Sequence, residues 1–367
     1  MKLQLSCKPI SDWFPNEVIT RIIEAAPPSG QAALCSTSGM FYALGVPVLY
    51  RGVKLDGNST IDSFCSTILE NPVKFAELVR SLTVTASTWL HHRNLSRFPG
   101  CCRLLLKIES MWLYGPYLLT VRHQLLDAIF PHLVRCTLSL QSIGVLNPAW
   151  QLEENPHTSF LIRHPGLKTL WIVRDLVSGT WPSTSARIPM PNLQCLRAPA
   201  TVLSYITEAQ LKEVRLDFKD SIGFEATFTT FGSLTRTDVP FVASLDFWAD
   251  DCTKTVDSAL KHMPHLNTLQ LMLHHSLMDT PGHPIIASLE RCIAGFTGLA
   301  YFSFRNAGYV HDSFTFDYST VKAWGDIRPT LQACRIDDRA WRRVNEVWEA
   351  LSIDDFFVLA GISFTEE

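Results

Sequence analysis

The chain has 367 residues, 47% apolar and only 18% charged, with a formal net charge of -3. That apolar content argues against a disordered chain, and the near-neutral charge leaves no electrostatic footprint for nucleic acid. The longest apolar stretch, Met40 to Leu49, is broken by Gly45 and Pro47 and is too short for the roughly 20 apolar residues of a membrane span, so no membrane partner is expected.

Met1 to Pro9 has no apolar stretch of the kind a secretory signal carries. Ten cysteines are scattered without a CxxC pair, and Cys101 and Cys102 are neighbours. They read as reduced, mostly buried thiols, which places the chain in cytosol or nucleus. Helical spacing begins at Pro15, a residue suited to a first helical turn, with Val18, Ile19, Ile22, Ile23 and Ala26 on one face. Pro27-Pro28 ends that helix. A second is predicted from Gly30 to Cys35 with Ser29 as its cap, and a third from about Thr37 to Leu44, stopped by Pro47. Arg51 to Leu55 alternates like a strand. Three short helices cannot bury both sides of such apolar faces alone. Residue chemistry leaves two roles open for them: a cap on the following domain, or a docking surface.

The ordered series Phe14-Pro15-Asn16-Glu17-Val18-Ile19, Ile22-Ile23, Pro27-Pro28-Ser29, Ala32-Ala33-Leu34-Cys35, Ser38, Phe41 and Leu49-Tyr50-Arg51 resembles an F-box. It is similar to the F-box proteins of mushroom-forming fungi, in which this segment leads straight into repeats. The resemblance implies docking to the Skp-family adaptor of a cullin–RING ubiquitin ligase. The positions it implies for that contact are Phe14 and Pro15, where the family has a Leu-Pro pair, and Val18, Ile19 and Ile22 on the apolar face of the first helix, with Leu34, Phe41 and Leu44 from the next two. Phe14 stands where the family usually has Leu, and Thr37 and Gly39 depart from its pattern.

From residue 79 a signature of apolar-x-x-apolar-x-apolar recurs: Val79-Leu82-Val84, Leu133-Cys136-Leu138, Leu167-Leu170-Ile172, Leu193-Leu196-Ala198 and Leu211-Val214-Leu216. It continues at Val242-Leu245-Phe247, Leu266-Leu269-Leu271, Leu299-Phe302-Phe304 and Leu331-Cys334-Ile336. A further unit is blurred within Cys102 to Ile108. From Cys136 onward the middle positions are 34, 26, 18, 31, 24, 33 and 32 residues apart. Their mean is close to the roughly 20–29-residue period of leucine-rich repeats. Pro precedes several units, as in Pro131-His132-Leu133 and Pro191-Asn192-Leu193, where it ends a return segment. Each unit is one strand and one return, and only stacking buries their apolar sides. The expected fold class is therefore α/β. It comprises an F-box-like helical segment (12–51), an irregular leucine-rich repeat solenoid with a mostly parallel sheet (52–337), and a C-terminal capping helix and tail (338–367). Chance leucine spacing in an ordinary α/β domain is the competing reading. Asn147 to Ser159 and Arg174 to Pro191 read as long loops. Trp341, Val344, Trp348 and Leu351 predict the capping helix.

No phosphate loop, GxSxG elbow or HExxH helix occurs. His262, His265, His274 and His275 are spaced like metal ligands but read as surface histidines; no catalytic residue, metal or cofactor is expected. Strand alternation places Thr137, Trp171, Arg197, Arg215, Asp246, Gln270, Ser303 and Arg335 in one outward column. Ser139, Val173, Pro199, Asp217, Trp248, Met272, Arg305 and Asp337 form the next. Trp and Arg dominate interface hot spots, so Trp171, Arg197, Arg215, Trp248 and Arg305 are the expected contacts for an unidentified target protein. The expectation is thus a non-enzymatic substrate-recognition subunit of a ubiquitin ligase. A repeat scaffold with no ligase role, its helical segment serving as an end cap, is the alternative.

Overall fold

The computed structural model describes residues 14–85, 97–114, 127–139, 156–173, 187–218, 224–235, 241–247, 252–273, 285–306 and 318–363. The chain divides into two compact units, Met1–Cys136 and Thr137–Glu367, and the division falls inside the repeat region.

The first unit opens on helices α1 (Asn16–Ala25), α2 (Pro28–Cys35) and α3 (Gly39–Arg51). Ser38 caps α3 by accepting from the Phe41 amide at 3.2 Å. Helix α3 runs through Pro47 instead of ending before it. Packing of Gly45 and Val46 inside the helical segment outweighs the hydrogen bond that proline cannot donate. A Cβ on Gly45 would stand 2.6 Å from Cys35 Sγ, so glycine is what lets α2 and α3 approach. Strand β1 (Gly52–Asp56) leads into α4 (Asn58–Glu70), then β2 (Ser81–Thr85) and β3 (Ser110–Tyr114). These three strands are parallel and in chain order. The blurred repeat unit resolves here. Leu82 pairs with Met111 and Val84 with Leu113, so the motif is Ile108-Met111-Leu113, a few residues beyond its expected place. Strand β4 (Arg135–Ser139) follows, with the Arg135 amide donating to the Glu109 carbonyl at 3.0 Å.

The second unit repeats the pattern. Strands β5 (Thr169–Val173), β7 (Cys195–Pro199), β9 (Glu213–Asp217), β10 (Val242–Phe247), β11 (Thr268–Leu273), β12 (Tyr301–Asn306) and β13 (Ala333–Ile336) are parallel neighbours in that order. The short strands β6 (Ile188–Pro189) and β8 (Ile206–Thr207) pair separately. Return helices Phe224–Leu234, Cys252–His262, Ile285–Gly295 and Tyr318–Ile327 pack each on the next. The register lines up Leu170, Leu196, Val214, Ala243, Leu269, Phe302 and Cys334 as one buried lateral row, the shared core that makes stacking favourable.

Two expectations are corrected. Ala243, not Leu245, occupies the middle position of β10, so the motif there lies two residues earlier than the spacing suggested. The intervals on either side of it become 29 and 26 residues in place of 31 and 24. The reason is that a two-residue slip keeps the same side chains inside, so periodicity alone cannot fix it. The segment Trp341 to Leu351 is not a helix. It forms the antiparallel strands β14 (Arg339–Val344) and β15 (Val347–Leu351). Asn345 and Glu346 both adopt left-handed backbone, φ 49° and 68°, which closes a two-residue hairpin. The capping helix exists further on, at Ile353–Ala360.

His164 is buried in the second unit, with its Nδ1 2.7 Å from the Phe160 carbonyl. Burial pushes its imidazole below the ordinary value, with the neighbouring Arg163 charge acting in the same direction and the Phe160 hydrogen bond opposing. The native state therefore holds this ring neutral, while the unfolded chain takes up a proton near pH 6.5, the ordinary value for histidine. The stability this contributes is present above about pH 6.5 and is lost as pH falls toward the lowered folded value. Melting temperature should drop between about pH 7.5 and pH 5.5, and His164→Gln should flatten that dependence. An unchanged slope in the variant would show that other groups set it.

Candidate docking surfaces

Helix α1 carries two apolar stripes. Ile19, 2% exposed, and Ile23 face inward, and Ile23 lies against Gly45 of α3. Val18 and Ile22, one turn apart on the outer side, are 40% and 54% exposed, and Phe14, two residues before the helix begins, is 46% exposed. Pro15 is exposed beside them, and Leu34, Phe41 and Leu44 are half-buried. Ile19 is thus corrected from the expected contact set: the helical segment uses it as its own core. The remaining stripe is a row of large apolar groups that α2 and α3 leave uncovered.

On the sheet face opposite the core, Trp171 pairs in register with Arg197, and Arg197 with Arg215, as alternation implied. The Arg197 guanidinium stands 5.8 Å from the Trp171 ring centroid, and both residues are half-buried. Arg305 is also half-buried, and Trp248 lies outside the described residues. Arg215 is corrected. It is 6% exposed and donates through Nε and Nη2 to Asp246 Oδ2 at 3.2 and 3.1 Å, so it faces a partner of its own chain. In the register observed, Ser244 stands beside Arg215, and Asp246 belongs to the next row with Met272 and Arg305.

What sequence reasoning missed is the treatment of this face from β9 to β13. Residues Glu213, Val242, Thr268, Tyr301 and Ala333 form one lateral row. The C-terminal segment lies along it. Phe356, Phe357, Ala360 and Ile362 share a core cluster with Val242 and Ala333, against which Tyr301 also packs. The Thr268 hydroxyl donates to the Ala360 carbonyl at 3.0 Å. The Ser363 amide donates to Glu213 Oε1 at 2.9 Å, and its hydroxyl to Glu213 Oε2. Arg335 lies over the Phe357 ring, 4.9 Å from its centroid. The only sequence signal for this was the apolar pattern of Phe356, Phe357 and Ala360, which does not say where the helix packs.

Among the described residues no group of three or more His, Cys, Asp or Glu side chains is arranged to hold a metal ion. His262 Nε2 is 3.0 Å from Glu225 Oε1, His265 is near the Thr297 hydroxyl, and His274 and His275 lie outside the described residues. Glu225, held down to about 2 by hydrogen bonds from Lys261 and then His262, belongs to this exposed surface cluster between return helices. The described cysteines are free thiols. No described helix is long and apolar enough to cross a membrane.

No protein-family model matches the chain, and no curated protein matches it in sequence. Among solved structures it is similar to a chain of the crystal structure of the Rad7 and Elc1 complex in yeast. The identity is 12%, the TM-score 0.35, and the match spans 88% of this chain and 89% of that one. An overlap this loose assigns neither activity nor partner.

Proposed function

We propose that the protein is a target-recognition subunit of a cullin–RING ubiquitin ligase. It docks a Skp-family adaptor through α1 and its neighbours, holds a target protein on its repeats, and carries no chemistry itself. Its contribution is proximity, bringing a target near a partner's active site. The observation that carries the reading is the exposed stripe Phe14, Val18 and Ile22. It coincides with positions where the F-box resemblance implies the adaptor contact, on a segment whose packing uses the opposite stripe. Large apolar side chains left in water along one helix face favour a protein partner. For the target, the half-exposed Trp171–Arg197 pair is the surface best matched to hot-spot chemistry, with Arg305 further along the same face.

The same substitution at two positions three residues apart separates docking from structure. Ile22→Asp should weaken adaptor binding by at least about a hundredfold while leaving the melting temperature within about 2 °C, because an exposed charge is solvated. Ile19→Asp should instead destabilise the helical segment by about 3 kcal/mol or more, because it buries a charge without a partner. Adaptor binding undiminished in Ile22→Asp would remove the stripe from the interface.

A further inference from the structure

Strands β9 to β13 are written for an open face. Their sequences, Glu-Val-Arg-Leu-Asp, Val-Ala-Ser-Leu-Asp-Phe, Thr-Leu-Gln-Leu-Met-Leu, Tyr-Phe-Ser-Phe-Arg-Asn and Ala-Cys-Arg-Ile, put a polar residue at most positions opposite the core. A parallel sheet buried for good on both sides normally reads as near-continuous Val, Ile and Leu. Yet Glu213, Arg215, Ser244, Thr268, Gln270, Ser303 and Arg335 are all buried here. Ser244 and Arg215 bond sideways along the sheet, to Gln270 Oε1 at 2.8 Å and to Asp246, while Glu213 and Thr268 bond to the C-terminal segment. The Ser303 hydroxyl has no hydrogen-bond partner among the described residues. By contrast β2 and β5 alternate buried and half-exposed positions, as a one-sided sheet should.

The cover over the Glu213 to Ala333 row is a single short helix with an extended end. Ser352 caps it, accepting from the Asp355 amide at 3.1 Å. Gly361, at φ 67°, ends it, and the Ile362 amide returns to the Phe357 carbonyl at 3.0 Å. Both ends are therefore closed by the segment's own residues, so the helix needs no help from the sheet to stop and start. Its far side is solvent-facing, with Val358 80% exposed and Leu359 beside it. The segment thus forms one layer, held by four apolar side chains, a cation–π contact and hydrogen bonds to Thr268 and Glu213.

We propose that the row Glu213, Val242, Thr268, Tyr301 and Ala333 is a helix-docking groove, and that residues 352–363 occupy it as an internal stand-in for a partner helix. The partner that fits is defined by the stand-in. It presents two adjacent aromatic residues, one of them under Arg335. A small residue follows one turn later with its carbonyl on Thr268, and after it comes a hydroxyl and amide donor for the Glu213 carboxylate. This inference does not depend on adaptor docking, which concerns the other unit.

The test uses the full chain and a fluorescein-labelled peptide of residues 350–367. With the groove filled in cis, the apparent affinity of a partner is reduced by the fraction of molecules that are open. Phe357→Asp in the chain should empty the groove and raise peptide affinity at least about tenfold over the unaltered protein. A peptide carrying the same Phe357→Asp change should not compete. Hydrogen exchange on the unaltered chain provides a reading that needs no variant to fold. The amides of Ile362 and Ser363 should open on the order of a hundredfold more readily than those of Leu269 and Leu271 in β11, a sub-global event. Equal protection of the two sets would overturn the proposal, as would a folded Phe357→Asp protein that gains no affinity for the peptide.

Discussion

Replacing Asp246 with alanine is expected to destabilise the second unit by about 3–5 kcal/mol, because it strands the Arg215 guanidinium in a site with almost no water. The two side chains are 7% and 9% exposed and meet through two hydrogen bonds to one carboxylate oxygen, with Met272 Sδ 3.5 Å from Arg215 Nη2. A surface pair of the same geometry would be worth no more than about 1 kcal/mol, so the size of the loss reports the burial. The double replacement Arg215→Met with Asp246→Leu should recover most of it, since removing both charges removes the desolvation cost along with the attraction. Urea unfolding of the single and double variants measures both values. A single variant within about 1 kcal/mol of the unaltered protein would mean that water reaches the pair in solution.

Truncating Trp324 to alanine should cost about 3–5 kcal/mol, again localised to the second unit. Trp324 sits on the return helix Tyr318–Ile327, fully buried, with its ring edge-on to Phe302 of β12 at a centroid distance of 5.4 Å. It fills the gap between a return helix and the strand before it, the contact on which each repeat depends. Next to it, Gly325 leaves room for the Trp348 indole of β15, where a Cβ would stand 2.8 Å from the ring. Losing Trp324 therefore loosens the hairpin as well as the last parallel repeat. Differential exchange in β12, β14 and β15 would follow, and a loss confined to the helix itself would contradict the coupling.

The sequence made the repeat legible because one column of apolar residues must meet its counterpart in every strand. Leu170, Leu196 and Val214 could be read directly. At β10 the same rule failed by two residues, since Ala243 and Leu245 both point inward and only the neighbouring strands decide which is central. The helix Asn58–Glu70 went unread although Ile61, Phe64, Cys65 and Ile68 carry its spacing. The hairpin Arg339 to Leu351 reads as a helix because Trp341, Val344, Trp348 and Leu351 fall at 3-4-3 spacing, the spacing of a helix face, and only the pairing of Val344 with Val347 and of Arg343 with Trp348 shows two strands. On α1 the apolar residues are visible, but their division into Ile19 and Ile23 inside and Val18 and Ile22 outside depends on Gly45, some twenty residues away. The cover over the sheet face was beyond reach altogether. The contact between Ser363 and Glu213 spans 150 positions, and nothing local in either residue signals the other.

The proposed role rests on the outer stripe of α1, and titration of the purified full chain with a purified Skp-family adaptor tests it most directly. Calorimetry should give a one-to-one complex with a dissociation constant of about 1 µM or tighter, and binding at least about a hundredfold weaker with the Ile22→Asp chain. Absence of any complex between the unaltered proteins at concentrations of about 100 µM would contradict the account.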